Sequence, residues 1–312
     1  MKAIVFNKNG KPDNLVMQEV EKPNPLENEV LIKIHAVSVN AADYRSMQLG
    51  IVPKKKIFGS DIAGIVEAVG KDVKKLRTGD AVFGDLSGNG FGGFAEYVTA
   101  PESLLALKPL NVTYEDAAAT PMAAVTALQA LCEKGKIQSG QKVLIYGSGG
   151  GVGTFAVQLA KYFGTEVTAV CSTKNGKMAY TLGADHVIDY AKEDILNSGT
   201  KFDLIVAVNG SRSLREYKRG LVTGGIFVLV CGSFFQIIKT LLFGSILSIG
   251  DKRMQLLSAK SSAKDLAFII KLVEDGRIKP VIDRQYSLQE TSEAIKYLKQ
   301  GHAQGKVIIS IL

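Results

Sequence analysis

Cysteine and histidine are both scarce in this chain, with three of each among 312 residues. The cysteines lie too far apart to form the disulfide framework of a small secreted domain, and so few of them favour a reducing compartment. The histidines have no ligand spacing to one another or to a cysteine, so the sequence predicts no zinc site. The six residues are Cys132, Cys171, Cys231, His35, His186 and His302.

The chain also lacks an uninterrupted apolar run long enough to cross a membrane. Residues 234–249 are rich in apolar side chains, but Gln236, Lys239 and several hydroxyl residues interrupt them, short of the eighteen or so that a span needs. We interpret them as a helix lining a cleft or a subunit contact, with peripheral membrane contact as the alternative. Residues 1–6 resemble a first strand rather than a signal peptide, so we expect a cytoplasmic location.

Positive charge exceeds negative charge, with a formal net charge of +8. The lysines are scattered rather than gathered on one helix or strand, and the run at residues 54–56 is typical of a solvated loop. We therefore expect no nucleic-acid partner, although a basic surface also attracts a multiply charged dinucleotide. The length suits one large or two medium domains.

Residues 142–153 carry an informative pattern. Apolar and aromatic residues at 143–146 predict a strand buried on both faces of a parallel sheet. Five glycines follow within seven residues, and apolar positions then resume at helical spacing. Such a strand, turn and helix lets the backbone approach a diphosphate, whose charge meets free N–H groups at the start of the helix. We interpret the pattern as a dinucleotide site, with a purely structural turn as the alternative.

The residues after the next predicted strand, 166–171, indicate which dinucleotide is bound. A site that prefers NAD places an acidic residue there to accept from the ribose 2′-hydroxyl. This chain instead has hydroxyl residues and lysines, namely Ser172, Thr173, Lys174 and Lys177, which suit a 2′-phosphate. We therefore predict NADPH as the coenzyme, with an ordinary solvated loop as the alternative.

The distribution of elements predicts two domains. In residues 1–110, short strands joined by glycine-rich turns predict a small, irregular antiparallel barrel. Strands then alternate with helices, which predicts a doubly wound parallel sheet and an α/β fold class. A closing strand at 306–311 follows too late for that sheet, so we expect it to return to the first domain. The expected domains are residues 1–123 with 259–312, and residues 124–258.

Short motifs spread along the chain match one family of enzymes. They are residues 39–44 (VNAADY), 59–66 (GSDIAGIV), 79–82 (GDAV), 92–97 (GGFAEY), 123–131 (AAVTALQAL), 147–153 (GSGGGVG), 182–190 (LGADHVIDY) and 305–307 (GKV). The chain thereby resembles zinc-independent medium-chain dehydrogenases/reductases of the quinone oxidoreductase type. The subgroup that matches best is that of NADPH-dependent reductases of electrophilic carbonyls, including chloroplast envelope quinone oxidoreductase homologues. The resemblance implies a GroES-like β-barrel catalytic domain, a Rossmann domain and a homodimer.

Departures from the zinc-dependent members of that superfamily narrow the chemistry. In those enzymes a Cys, a His and a second Cys hold the catalytic metal. By the resemblance, the corresponding positions of this chain are Asn40, Ser60 and approximately Met122. Without a Lewis acid, removal of hydride from an ordinary alcohol lacks its main aid. Delivery of hydride to a quinone or an α,β-unsaturated carbonyl is easier, because the developing charge spreads over a conjugated system. We therefore predict an NADPH-dependent quinone or enone oxidoreductase that works without metal on a small-molecule substrate.

The resemblance also implies roles for single residues. Asn40 lies beside the nicotinamide and the acceptor in the family, although an asparagine that caps a turn is the alternative. Tyr44 or water supplies the proton, but Tyr44 equally fits a packing role. Thr126 matches a threonine that contacts the coenzyme, with back-bonding inside its helix as the alternative. Tyr190 matches a tyrosine near the 2′-phosphate, or else a packed aromatic residue.

Asn209 and Gly210 follow a predicted strand, where the carboxyl edge of the sheet meets the ribose or the nicotinamide. The predicted catalytic residues are thus Asn40 and Tyr44, with no metal ligand. The predicted coenzyme-binding residues are Asn40, Thr126, Gly147, Gly150, Gly151, Val152, Gly153, Ser172, Thr173, Lys174, Lys177, Tyr190, Asn209 and Gly210. The alternative functions are a metal-free ketone or aldehyde reductase and a low-turnover NADPH-binding protein of the crystallin-like or regulatory kind.

Overall fold

The computed structural model describes residues 1–6, 14–53, 55–230 and 251–311. The helix predicted at residues 234–249 lies outside them. Among the residues described, no helix has both the length and the apolar character that crossing a membrane requires.

The chain forms two compact units. The first comprises Met1–Val125 together with Ser261–Leu312, and the second comprises Thr126–Lys260. The strands are β1 (Lys2–Phe6), β2 (Leu15–Glu19), β3 (Glu29–Val39), β4 (Asp61–Val69), β5 (Ala81–Asp85), β6 (Tyr97–Pro101), β7 (Leu105–Leu107), β8 (Lys142–Tyr146), β9 (Glu166–Cys171), β10 (His186–Asp189), β11 (Phe202–Ala207), β12 (Leu221–Leu229), β13 (Arg253–Leu256), β14 (Ile282–Ser287) and β15 (Lys306–Ser310). The α-helices are α1 (Ala41–Gln48), α2 (Tyr114–Ala119), α3 (Pro121–Gln129), α4 (Gly151–Tyr162), α5 (Gly176–Thr181), α6 (Leu214–Arg219), α7 (Ala263–Glu274) and α8 (Thr291–Lys299).

A seven-stranded sheet organises the first unit. Its strand order is β14-β15-β3-β4-β5-β7, with β6 paired to β3 as well, and a separate hairpin joins β1 to β2. Every pair in the larger sheet is antiparallel except β14 with β15. The strand β3 pairs with three neighbours, and its register against β4 shifts twice. Such bulges bend a sheet and increase its twist, as the predicted small barrel requires.

Residues 94–96 come directly before β6, which begins at Tyr97. The backbone of Phe94 is already engaged on both sides. Its N–H donates to the carbonyl of Phe58 at 2.9 Å, and its carbonyl accepts from Ile4 at 2.8 Å. These bonds tie the segment before β6 to β1 and to a loop, so the ladder with β3 starts only after them.

Alanine-rich packing covers one face of this sheet. The cross-strand neighbours Ala36, Ala63 and Phe83 form a buried cluster with Ile308 and the alanines 117–119 of α2. Small side chains on both surfaces let a helix approach a sheet closely, which suits the dense packing of protein interiors. The same face of the sheet continues, at the ends of its strands, into the polar residues described below.

The second unit is a doubly wound parallel sheet. All its pairs are parallel, in the order β10-β9-β8-β11-β12-β13. The predicted α/β class with a parallel sheet is therefore confirmed. The chain winds one way from β8 to β10 and the other way from β11 to β13, so the strand order reverses between β8 and β11. In sheets of this kind ligands bind outside the carboxyl ends of the strands at that reversal.

Candidate functional site

The backbone of the turn after β8 packs directly against the backbone at the start of α4. Gly147 adopts a φ of +88°, which favours glycine. A Cβ added to Gly153 would lie 2.2 Å from the carbonyl oxygen of Gly147. A side chain at Gly153 would therefore push the helix away from the turn. These two glycines have a packing reason that is independent of any ligand.

Close packing does not explain why residue 150 is a glycine. It is the N-cap residue of α4, with a φ of −91°, and no side chain caps the helix there. A Cβ added to Gly150 would meet nothing within 4 Å. Its neighbour Gly149 is different, because a Cβ there would lie 2.1 Å from Nδ2 of the buried Asn175. Gly150 therefore borders open space at a helix N-terminus, a position where an anion is stabilised.

The loop after β9 presents the predicted hydroxyl and lysine residues. Ser172 precedes a short 3₁₀ turn over Thr173–Asn175, and Lys174 and Lys177 are exposed. The side chain of Asn175 packs under the glycine turn, as described above. The loop is therefore braced against the turn by a residue that sequence reasoning did not select.

Asp189 is a second residue that sequence reasoning missed. It ends β10, directly opposite Cys171 in the register, and its carboxylate accepts a hydrogen bond from the hydroxyl of Thr173. It also accepts from the backbone N–H of Ala191 at 3.0 Å. These donors hold the pKa of Asp189 below its usual range. A carboxylate from the neighbouring strand thus lies beside the loop predicted to hold a 2′-phosphate, where local sequence carried no acidic residue.

The other predicted residues of the second unit lie at the carboxyl ends of the strands or in a helix. Asn209 follows β11, and its backbone nitrogen would lie 3.1 Å from a Cβ added to Gly147. The structure therefore brings the glycine turn and the Asn209–Gly210 segment together across the strand-order reversal. Tyr190 follows β10 and is half exposed, whereas Thr126 is buried in α3.

In the first unit, Asn40 is the centre of a buried hydrogen-bonded network. It follows β3 and is the N-cap residue of α1. Its Nδ2 donates to Asp61 Oδ2 at 2.9 Å and lies 3.3 Å from Ser60 Oγ. Its Oδ1 accepts from the ammonium of Lys306 at 2.6 Å. Lys306 is 3 % exposed, and sequence reasoning used it only as part of a motif.

Burial shifts the ionisation of the three charged groups around Asn40. Burial raises the pKa of Asp43 to about 7, although the backbone N–H groups of Asn40 and Gly59 oppose the shift. They reach its carboxylate at 2.7 and 3.1 Å. Burial also raises the pKa of Asp61 and lowers that of Lys306, while the attraction between the two groups opposes both shifts.

The residues aligned with the zinc ligands lie near Asp61, but they do not form a zinc site. Ser60 and Asn40 are in contact, and the backbone N–H of Met122 donates to Asp61 Oδ1 at 3.1 Å. An amide, a hydroxyl and a thioether are not the thiolate and imidazole ligands that zinc selects, and the ammonium of Lys306 already occupies the amide oxygen. In the part of the chain that the structure describes, no three His, Cys, Asp or Glu residues group as metal ligands.

Tyr44 lies on α1, four residues after Asn40. Its ring is partly buried and packs against the core of the first unit, and the guanidinium of Arg45 lies 6.0 Å from the ring centre. The ring thus has the packing role that the sequence left open.

Two family models match the chain. One describes the GroES-like domain of alcohol dehydrogenases and matches residues 26–110. The other describes zinc-binding dehydrogenases and matches residues 182–309.

Similar proteins match along the whole chain. A 2-methylene-furan-3-one reductase of Solanum lycopersicum is 35% identical over 99% of this chain and 79% of its own length. An NADPH-dependent alkenal/one oxidoreductase of Arabidopsis thaliana, a chloroplastic protein, is 31% identical over the same shares. Among solved structures, the quinone oxidoreductase from Coxiella burnetii matches with a TM-score of 0.91 and 29% identity, covering 100% of this chain and 99% of its own.

The buried carboxyl of Asp43 predicts a pH dependence of stability. Between about pH 4 and pH 7 the folded protein keeps Asp43 protonated while the unfolded chain releases the proton, so the wild-type protein loses stability as the pH rises. An Asp43→Asn variant cannot titrate there. We expect its deficit in unfolding free energy to shrink by up to about 1.4 kcal/mol per pH unit over this range, in urea unfolding at pH 5, 6, 7 and 8.

The exposed Asp72 in the same unit gives the control, since Asp72→Asn also removes one carboxylate. The change in the unfolding free energy of Asp72→Asn with pH is subtracted from the corresponding change for Asp43→Asn. A deficit of Asp43→Asn that stays constant from pH 5 to pH 8 would mean that the folded protein keeps this carboxyl ionised.

Proposed function

Because the chain belongs to the medium-chain dehydrogenase/reductase family, as an oxidoreductase of the quinone oxidoreductase type, we propose that it reduces a quinone or an α,β-unsaturated carbonyl with NADPH and without a metal. Relatives that act on a methylene-furanone, on alkenals and enones, and on a quinone support this substrate class by their names. All three acceptors are conjugated, and such a system spreads the charge that develops during hydride transfer.

The observation that carries the proposal is the open space at Gly150. Gly147 and Gly153 are required by close packing, but the absence of a side chain at Gly150 has no such explanation. A diphosphate needs a close backbone approach at this helix N-terminus, and a Cβ would take that space. The residues present therefore fit the diphosphate of a dinucleotide, held by Gly150, Gly151, Val152 and Gly153. The bound coenzyme supplies the hydride.

The preference for NADPH rests on the loop after β9. Ser172 and Thr173 offer hydroxyl groups, and Lys174 and Lys177 offer positive charge, which suits a 2′-phosphate. Asp189 opposes this preference, because its carboxylate adds negative charge next to Thr173. We propose that the two lysines outweigh the one carboxylate. Tyr190, which follows Asp189, completes the set, and Asn209, Gly210 and Thr126 contact the ribose and nicotinamide parts.

In the first unit, we propose that Asn40 contacts the nicotinamide and that Tyr44, or water, provides the proton that completes reduction. Asn40 is held rigidly by buried partners, which suits a group that orients a ligand. No step uses a metal, since the donor set around Asn40 does not suit zinc.

We propose further that the protein is a cytoplasmic homodimer with no nucleic-acid partner and at most peripheral contact with membranes. Its working domains are proposed as residues 1–123 with 259–312, which hold the acceptor, and residues 124–258, which hold the coenzyme. Light scattering on the purified protein tests the dimer directly.

The activity itself is tested by oxidation of NADPH and of NADH, followed at 340 nm, against a quinone, an enone and a saturated aldehyde. We expect turnover of the quinone or the enone with NADPH, and no loss after treatment with a chelator. Turnover of the saturated aldehyde alone would support the alternative function of a metal-free ketone or aldehyde reductase. Tight NADPH binding without turnover would support the alternative of a low-turnover NADPH-binding protein.

Gly150→Ala tests the diphosphate site. Since its Cβ would meet no protein atom within 4 Å, we expect the unfolding free energy to change by less than about 1 kcal/mol. We expect dinucleotide affinity, measured by quenching or calorimetry, to fall about tenfold or more because the methyl group displaces the diphosphate. Gly88→Ala is the matched control, because a Cβ there also meets open space but lies in the first unit. Equal affinities for the two variants would refute the assignment.

The double variant Lys174→Ala/Lys177→Ala tests coenzyme choice. Removing two positive charges near a 2′-phosphate is expected to raise the KM for NADPH about tenfold or more, with little change in the KM for NADH, and added salt should narrow the difference. Lys264→Ala, which removes an exposed charge from the first unit, is the control. A parallel rise in both KM values would show that the lysines do not read the 2′-phosphate.

A further inference from the structure

The glycine turn, residues 147–150, holds the end of β9 through one carbonyl group. The oxygen of Val170 accepts hydrogen bonds from the backbone N–H groups of Gly147 and Ser148, both at 3.0 Å, and from the hydroxyl of Ser148 at 3.1 Å. Ser148 is 1 % exposed, so water does not compete for these donors. The chain therefore leaves β9 from a point that is fixed against the turn.

A few residues later the chain returns to the same turn. A Cβ added to Gly149 would lie 2.1 Å from Nδ2 of Asn175 and 2.7 Å from its Cγ, so this amide packs directly on the backbone of Gly149. Asn175 is 8 % exposed. Its backbone N–H donates to the carbonyl of Ser172 at 2.9 Å, which closes the short turn between them. The segment 172–174, which we call the 2′-phosphate loop, is therefore attached to the glycine turn at both of its ends.

The 2′-phosphate loop is also attached to β10. The strand β9 lies between β8 and β10 in the sheet, and the hydroxyl of Thr173 donates to the carboxylate of Asp189 at the end of β10. Lys174 thus lies between two residues that are held from opposite sides, Thr173 by β10 and Asn175 by the glycine turn. Asn175 is in addition the N-cap residue of α5, which carries Lys177. The position of Asn175 therefore influences the positions of both lysines.

The coenzyme itself sets how far apart its phosphate groups lie. In NADPH the 2′-phosphate and the diphosphate are attached to the same ribose, at its 2′ and 5′ positions. A protein that binds both groups at once must hold its two sets of donors at the matching separation, and a misplacement of about 1 Å weakens such contacts. NADH has no 2′-phosphate and makes no such demand.

We propose that Asn175 is a positioning residue for coenzyme choice, which holds the 2′-phosphate loop at a fixed separation from the glycine turn so that NADPH is recognised at both places together. This inference rests on the proposed function. Because the side chain of Asn175 is buried against Gly149, it acts by placing the loop rather than by contacting the coenzyme. The same contact explains why residue 149 is a glycine.

The test compares the dissociation constants of NADP⁺ and NAD⁺, measured by calorimetry. In Asn175→Ala the loop loses its contact with Gly149, so we expect NADP⁺ to bind about tenfold more weakly, while the affinity for NAD⁺ changes less than about threefold. In the Lys174→Ala/Lys177→Ala background, Asn175→Ala should change the preference for NADP⁺ less than about twofold, because the charges that it places are gone. Gln158→Ala is the matched control, since it removes another buried amide of the same unit, in the middle of α4, and should leave the preference unchanged.

Gly149→Ala perturbs the same contact from the side of the turn. Its Cβ would displace the amide of Asn175, so we expect the preference for NADP⁺ to fall as in Asn175→Ala, and this variant decides the matter if Asn175→Ala does not fold. In Gly149→Ala/Asn175→Ala the two effects should not add. Truncation of Asn175 removes the contacts at 2.1 and 2.7 Å and leaves one at 3.1 Å, to the Cβ of residue 175.

A purely structural role for Asn175 would give a different pattern. Equal weakening of NADP⁺ and NAD⁺ binding in either single variant would overturn the proposal, as would fully additive effects of the two substitutions. If the wild-type protein binds neither dinucleotide, the proposed function itself fails. If it binds NADP⁺ no more tightly than NAD⁺, the proposed preference for NADPH fails and this inference fails with it. If the preference exists and persists in both variants, only this inference fails.

Discussion

The contact between the ammonium of Lys306 and the amide of Asn40 is the constraint on which the first unit depends. A lysine charge is removed from water only where it is paired and hydrogen-bonded, because the cost of burying it alone is large. Here the partners are Asn40 and Asp61, which come from the amino-terminal part of the chain. The closing strand must therefore take its place beside β3, and the sheet is completed by residues from both ends of the sequence.

The same network explains why this end of the sheet is polar although the rest of its face is packed with alanines. Asp43 accepts from two backbone N–H groups and so fixes the start of α1. Asp61 accepts from the N–H of Met122 and so fixes the chain before α3. Each buried carboxyl thus satisfies donors that would otherwise be stranded inside the protein. An internal cation and two carboxyl groups thus organise this end of the sheet.

The second unit depends on a different constraint, the approach of one backbone to another. Gly153 touches the carbonyl of Gly147, and Gly149 faces the side chain of Asn175, so these glycines serve the fold itself. Gly150 differs from both, because a Cβ there would meet no protein atom within 4 Å. The surroundings of each glycine therefore distinguish positions that the glycine pattern alone does not distinguish. Asp189 adds a further element, because it balances the positive charge of the neighbouring loop.

The sequence by itself determined the elements whose causes are local. The buried run before Gly147, the glycine turn and the alternation of strands and helices follow from periodicity and turn chemistry, which act over a few residues. Tertiary structure alone decided that Lys306 reaches Asn40 across 266 positions, that Asp189 meets Thr173, and that β6 starts after Phe94. These contacts depend on which strands become neighbours and in which register, and strand pairing joins residues that no local pattern relates.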